Sequence, residues 1–170
     1  MKYILLCGIA ILFFLPAQAQ NTPYSVGYRS GQTSGILLKY NFRPDYAVKA
    51  IIGGKENQFS ITALAERYQP ALVNHSDNFF WYYGVGCHLG IKKEPKYNLV
   101  ERNGAIVPIE ELEYKHSAML GVDAILGLEY RLAALPVSFG IDVKPSAQLS
   151  GIIDLDINLF DTGFAVLYNF

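Results

Sequence analysis

His88 is the residue whose position in the sequence best fits acid–base chemistry. Glycines recur at every second position around it: Gly84, Gly86 and Gly90. Because alternate residues of a strand share a face, His88 would lie among small residues, within reach of Glu66 or Asp123. An imidazole gains and loses a proton near neutral pH, which suits a general base or a proton-linked group. The glycines also make room for large side chains across a narrow interior, and this structural interpretation stays open.

The other pairs of reactive residues predict no active site. His75-Ser76 and His116-Ser117 each join a base to a hydroxyl. Adjacent residues on a strand point to opposite faces, so neither pair can act as one unit. The histidines also lack the short spacing of metal ligands. The sequence therefore predicts no enzyme, no metal site and no cofactor.

The first residues have the pattern of an export signal. Lys2 supplies a positive charge, residues 4–15 are apolar, and Ala17-Gln18-Ala19 has the small-x-small form that signal peptidase accepts. The apolar run is too short for a membrane-spanning helix, which takes about 20 residues. We predict a signal peptide over residues 1–19, cleaved after Ala19, and one exported domain over residues 20–170.

The end of the chain alternates between two kinds of side chain. Large or apolar groups fall at nearly every second position, namely Phe160, Phe164, Val166, Tyr168 and Phe170. A soluble protein has little reason to end on an exposed aromatic strand, whereas the outer surface of a transmembrane barrel faces lipid. We therefore predict that this segment is the closing strand of a barrel.

Similar segments, separated by turn residues, recur along the whole chain. We place strands at residues 24–29, 35–42, 46–54, 58–68, 79–91, 118–131, 137–144 and 157–170. The predicted fold is all-β, an eight-stranded up-and-down antiparallel transmembrane β-barrel. With both termini in the periplasm, connections 43–45, 69–78 and 132–136 are periplasmic, and the longest connection, 92–117, is extracellular.

The charged residues distinguish this barrel from a soluble barrel of the lipocalin kind, whose apolar side faces inward. The outward faces are apolar, with rings such as Tyr24, Tyr46, Trp81 and Tyr168 suited to an interfacial girdle. The opposite face carries five basic and five acidic residues together with His88. This predicted interior network is Arg29, Lys39, Lys49, Glu66, His88, Asp123, Glu129, Arg131, Asp142, Lys144 and Asp161. Paired charges would fill and plug the interior.

The chain resembles the small outer-membrane β-barrel proteins of Gram-negative bacteria, the family of OmpA-like and OmpX-like barrels. The matching features are the export signal, Ser34-Gly35-Ile36, the run at 80–90, the run at 127–131, and Tyr168-Asn169-Phe170. The resemblance implies location in the cell outer membrane. It also implies that the barrel-assembly machinery reads Phe164, Val166, Tyr168 and Phe170.

These observations predict a structural or surface-exposed membrane protein, a monomer in contact with outer-membrane lipid. The net charge of −1 does not suggest nucleic acid as a partner. One alternative is a narrow channel for small solutes. Another is adhesion or partner docking through residues 92–117, where Asn103-Gly104 predicts a hairpin turn and Tyr97 lies in a flanking strand. Pro95 and Pro108 argue against uninterrupted strand pairing there.

Overall fold

The computed structural model describes residues 23–72, 76–102, 105–151 and 154–170, and within these ranges the chain is all-β. The segments are β1 Tyr24–Gly31, β2 Ser34–Arg43, β3 Tyr46–Lys55, β4 Gln58–Leu72, β5 Ser76–Arg102, β6 Ala105–Arg131, β7 Val137–Val143, β8 Ser146–Ser150, β9 Asp154–Asn158 and β10 Thr162–Asn169. The described ranges contain no helix of the length and apolarity needed to cross a membrane.

The sheet closes on itself. Each strand pairs antiparallel with the next, and β10 returns to pair with β1 from Ser25↔Asn169 to Gly31↔Gly163. Segments β7 and β8 are two parts of the seventh strand, and β9 and β10 are two parts of the eighth. The fold is a closed eight-stranded antiparallel up-and-down β-barrel, as the alternation predicts.

Two interruptions divide the last two strands. Pro145 separates β7 from β8, and the Ala124 amide still donates to its carbonyl oxygen at 2.9 Å. Residues 159–161 separate β9 from β10, and the Lys144 amide donates to the Asp161 carbonyl oxygen at 2.8 Å. Proline has no N–H to donate to a sheet, so a break at Pro145 is expected.

Several predicted strand boundaries are wrong. The connection predicted at 69–78 is mostly strand, because β4 continues to Leu72 and pairs with β5 at Leu72↔Ser76. The seventh strand continues past residue 144 as β8, and the eighth begins at Asp154 rather than at residue 157. Turn-forming residues such as Pro70 and Pro145 mislead here, since pairing with neighbouring strands overrides the local preference.

The longest predicted connection, 92–117, is also largely strand. Segments β5 and β6 stay paired from Phe79↔Tyr130 to Arg102↔Ala105. The register shifts between Pro95 and Tyr97, and Pro108 pairs with Leu99. The prolines therefore produce one irregularity and do not end the pairing. Asn103 and Gly104 lie outside the described residues.

The barrel has two chemically different faces, here called the outer wall and the lumen. Outer-wall residues such as Val26 and Val122 are exposed and apolar, whereas the buried lumen residues include ions such as Arg29 and Glu129 beside apolar ones such as Leu37. We call the end of the barrel near Tyr24 and Asn169 the terminal end, and the opposite end, which carries the β5–β6 hairpin, the hairpin end.

Lumen glycines make space for large side chains of other strands. An added β-carbon at Gly163 would collide with the Arg29 guanidinium, and one at Gly127 with the Tyr82 ring. Gly140 also faces the lumen, but its nearest neighbour would be the Ala165 β-carbon at 3.6 Å. Gly127 and Gly163 are therefore required because Tyr82 and Arg29, respectively, occupy the space that a larger side chain would need.

We expect Gly163→Ala to lower the free energy of unfolding by about 1–3 kcal/mol, because the added methyl displaces the buried Arg29. Gly140→Ala is the matched control and should change stability little, since its methyl meets only ordinary contacts. Urea titration of the folded barrel measures both. Equal losses in the two variants would contradict the assignment of Gly163 as the space for Arg29.

Candidate functional site

The lumen contains the predicted interior network. Its side chains come from positions that alternate with the exposed apolar ones, so closure of the barrel brings together residues far apart in the sequence. Each predicted member is buried except Arg131, whose side chain is 34% exposed. The structure thus places all of them on the inward side, with Arg131 near the terminal end.

Arg29 is the centre of the network at the hairpin end. Its Nη2 donates to Asp142 Oδ1 at 2.6 Å, and its Nη1 lies 3.2 Å from Asp161 Oδ1. Arg29 Nη1 also donates to the carbonyl oxygen of Thr33. Asp161 in turn accepts from the Thr33 hydroxyl at 2.6 Å. One guanidinium therefore ties the first strand to the seventh and eighth strands and to the first turn.

A second chain of contacts links Asp161 to His88. Lys144 Nζ lies 3.4 Å from Asp161 Oδ2 and 2.9 Å from Asp123 Oδ1. The other Asp123 oxygen lies 2.6 Å from His88 Nδ1, which donates because a carboxylate only accepts. The predicted approach of His88 to Asp123 is present. Glu66, the other predicted neighbour, pairs elsewhere.

The terminal half of the lumen has its own ion pairs. Lys39 Nζ donates to Glu129 Oε2 at 2.8 Å, and Arg131 Nε donates to Glu129 Oε1 at 2.8 Å. Lys49 Nζ lies 2.7 Å from Glu66 Oε1. Apart from Arg131 these charges are buried, so the carboxylates compensate cations that would otherwise be costly to desolvate.

Two lumen tyrosines, Tyr68 and Tyr82, are missing from the predicted network. Their rings stack with centroids 5.1 Å apart. The Tyr68 hydroxyl donates to Glu66 at 2.8 Å, and the Tyr82 hydroxyl donates to Asp142 at 3.2 Å. Tyr82 thus connects the two halves of the network. Their even spacing from Glu66 and Gly84 was the available signal, because it assigns both rings to the inward face.

The lumen leaves little free volume. A polar cavity of about 30 Å³ lies near the hairpin end, between Lys55, Ser60, His88 and Lys144. Such a volume is large enough for ordered water. His88 Nε2 has no hydrogen-bond partner among the described residues and belongs to a residue lining this cavity.

The described ranges also bear on the predictions about metal ligands and the other histidines. They contain no group of three or more His, Cys, Asp or Glu placed to hold a metal ion. His116 lies in β6 and not in a connection as predicted; it is exposed, while Ser117 beside it is buried. His75 lies outside the described residues.

The outer wall carries the predicted assembly signal and a ring of aromatic side chains. Phe164, Val166 and Phe170 are exposed, and Tyr168 is half-exposed. Aromatic side chains follow one another around the terminal end, with Tyr24 stacked on Tyr40 at 4.9 Å. We call these residues the aromatic belt: Tyr24, Tyr40, Phe42, Tyr46, Phe79, Trp81, Tyr83, Tyr130, Tyr168 and Phe170.

The predicted partner loop is partly described. Tyr97 lies in β5 and pairs with Glu110, while Asn103 and Gly104 lie outside the described residues.

The chain matches no protein-family model, and no curated protein is significantly similar to it. The geometry of the barrel therefore carries the functional argument.

The Lys49–Glu66 pair allows a direct test of charge compensation. We expect Lys49→Met and Glu66→Gln each to lower the free energy of unfolding by about 3–5 kcal/mol, because each leaves one charge buried and unpaired. The double variant should lose less than either single variant, since no unpaired charge remains. Urea titration measures all three.

Lys55→Met serves as the control for this cycle. Lys55 is exposed at the hairpin end, so its loss should change stability by no more than about 0.5 kcal/mol. Losses that simply add in the Lys49–Glu66 double variant would show that the two side chains do not compensate each other.

Proposed function

We propose that this protein is an integral outer-membrane β-barrel with a structural or surface-exposed role and no catalytic one. Its apolar outer wall around an ionic lumen carries this proposal. A soluble barrel has the opposite arrangement, because water solvates its outer charges and its interior is apolar. Here Leu89, Val122 and Ile141 are more than half exposed, while Arg29 and Glu129 are almost completely buried.

The height of the uncharged wall supports the proposal. Strand β4 takes nine residue steps from Gln58 at the hairpin end to Arg67 at the terminal end. At about 3.3 Å per residue and a tilt of about 40°, this corresponds to about 23 Å along the barrel axis. Membrane barrels have an apolar band of about 25 Å. The wall therefore matches the hydrocarbon layer of an outer membrane.

The aromatic belt supports the same proposal. Aromatic rings with one polar edge are favoured where hydrocarbon meets headgroups. The belt lies at the terminal end and includes Phe170, which directly follows β10. In this proposal, Phe164 to Phe170 is the segment read by the barrel-assembly machinery, as in the OmpA-like and OmpX-like proteins that the sequence resembles.

The filled lumen disfavours the narrow-channel alternative. Arg29, Tyr82, Leu37 and Ile51 are each at most 1% exposed. Eight strands enclose only enough room for side chains, and here those side chains meet across the lumen through ion pairs. A continuous file of water would require these pairs to separate. A structural or surface role does not.

We expect Val122→Arg to lower the free energy of unfolding of the barrel in lipid vesicles by about 2–4 kcal/mol, because it places a charge near the middle of the hydrocarbon layer. Val122 is 63% exposed and pairs with Cys87 midway along the wall. The measurement is the fraction of barrel that migrates differently before and after heating on a detergent gel, over a urea series.

Leu135→Arg is the matched control. Leu135 is 51% exposed in the 132–136 connection at the terminal end, so an arginine there should have almost no effect. If Val122→Arg also had almost no effect, the wall would face water and the membrane proposal would fail.

The β5–β6 hairpin supports a second candidate, partner docking. Beyond Lys93 and Ser117, and among the residues that the structure describes, the two strands pair only with each other, up to Arg102↔Ala105. Each therefore has a free backbone edge on its other side, and such edges can accept a strand from another protein. This part of the hairpin extends beyond the rim of the barrel, where it would meet a partner at the cell surface.

Replacing residues 97–108 by a two-residue turn tests docking. The shortened barrel should keep its gel shift on heating, because the removed residues that the structure describes pair within the hairpin. Binding of the folded barrel to bacterial or host-cell surfaces should fall to the background level. Unchanged binding by a folded, shortened barrel would reject the docking candidate and leave the membrane proposal intact.

A further inference from the structure

Arg67 is an exception on the outer wall. It is exposed and lies on β4 at a position that alternates with the buried Glu66 and Tyr68. Between the two ends of the wall, the other outward positions of the described strands carry no charged side chain. Against hydrocarbon, an arginine costs about 2–4 kcal/mol at the midplane and close to zero at the interface. Its presence therefore has to be explained by what surrounds it.

The surroundings of Arg67 are two tyrosines of the aromatic belt. The Cα partners of Arg67 are Tyr46 on β3 and Tyr83 on β5. Its guanidinium lies over the Tyr46 ring, 5.5 Å from the centroid. On β4, the planar guanidinium of Arg67 therefore occupies the level at which β3 and β5 carry the rings of Tyr46 and Tyr83.

A second arginine lies beside this group. Arg43 is exposed, and its Cα partner across the β2–β3 turn is again Tyr46. Neither Arg43 nor Arg67 makes an ion pair or side-chain hydrogen bond with another described residue. Asp45 is half-buried in the same turn and does not pair with either. Two cations and two tyrosines therefore lie in one row across four adjacent strands, and the one carboxylate of the turn, Asp45, forms an ion pair with neither cation.

We propose that Arg43, Tyr46, Arg67 and Tyr83 bind the phosphate of an anionic phospholipid headgroup in the leaflet at the terminal end. This inference rests on the proposed membrane location. A guanidinium presents paired donors that match phosphate oxygens, and the neighbouring phenol hydroxyls add further donors. A zwitterionic headgroup fits less well, because its own ammonium group already compensates its phosphate.

The level of the site favours a lipid over a free phosphate ion. The aromatic belt marks the boundary where rings prefer to meet headgroups, and Arg67 lies within that row. Acyl chains attached to the phosphate would pack against the apolar wall directly beside it, at Ala65 and Ile61, which are exposed on the same face of β4. An inorganic phosphate ion would gain none of this contact.

Lipid titration of the folded barrel in detergent micelles tests the proposal. Phosphatidylglycerol and phosphatidylcholine with identical acyl chains are added separately, and native mass spectrometry counts the lipids retained by each barrel. We expect tighter binding of phosphatidylglycerol by the unmodified protein. Arg67→Gln should weaken that binding about fivefold. Adding Arg43→Gln to the same variant should weaken it further. Binding of phosphatidylcholine should change little.

Matched variants make the result specific. Lys55→Gln with Lys93→Gln removes the same two charges from the hairpin end, where both lysines are exposed, and should leave phosphatidylglycerol binding unchanged. Arg67→Lys keeps the charge without the planar fork and should give an intermediate loss. It also provides a folded variant if Arg67→Gln does not fold.

Three results would overturn the inference. They are equal retention of the two lipids, an equal loss in the lysine variants, and displacement of phosphatidylglycerol by inorganic phosphate at the same concentration. Each concerns a barrel that is already folded and shows its gel shift on heating. They are therefore distinct from failure of the Val122→Arg test, which would reject the proposed membrane location.

Discussion

The narrowness of a closed eight-stranded barrel is the constraint on which the rest of the structure depends. Half of all strand residues must point into a space wide enough only for side chains. In this protein many of them are charged, and burial without a partner would cost several kcal/mol for each ion. The lumen is stable because Arg29, Lys39, Lys49 and Lys144 each meet a carboxylate from another strand.

The ion pairs also lie beside the irregular parts of the barrel, and they require small residues opposite them. The breaks at Pro145 and at residues 159–161 lie beside Lys144 and Asp161, which both take part in the hairpin-end network. Gly163 leaves space for the Arg29 guanidinium, and Gly121 leaves space for the His88 ring. His88 and Asp123 thus form a buried pair, 2.6 Å apart, inside the lumen.

The two ends of the barrel differ in a way that fits a protein with a fixed orientation. The terminal end carries the aromatic belt and the two arginines beside Tyr46. The hairpin end carries exposed lysines and the long β5–β6 ribbon with free strand edges. In the proposed membrane setting, one end is anchored among lipid headgroups while the other presents backbone to a partner. The lumen between the two ends is occupied by packed side chains.

The amino-acid sequence is enough to predict the fold class and the division of residues between wall and lumen, because strict alternation assigns each side chain to a face once a strand is recognised. It did not determine the strand ends: residues 69–72 and 146–150 are strands despite turn-forming prolines nearby. Nor did it choose partners within the lumen. Only closure of the barrel brings Arg29 to Asp142 and places Tyr82 between the two halves of the network. These contacts join residues that are distant in the chain. Register across each strand pair, which a single sequence does not specify, decided them.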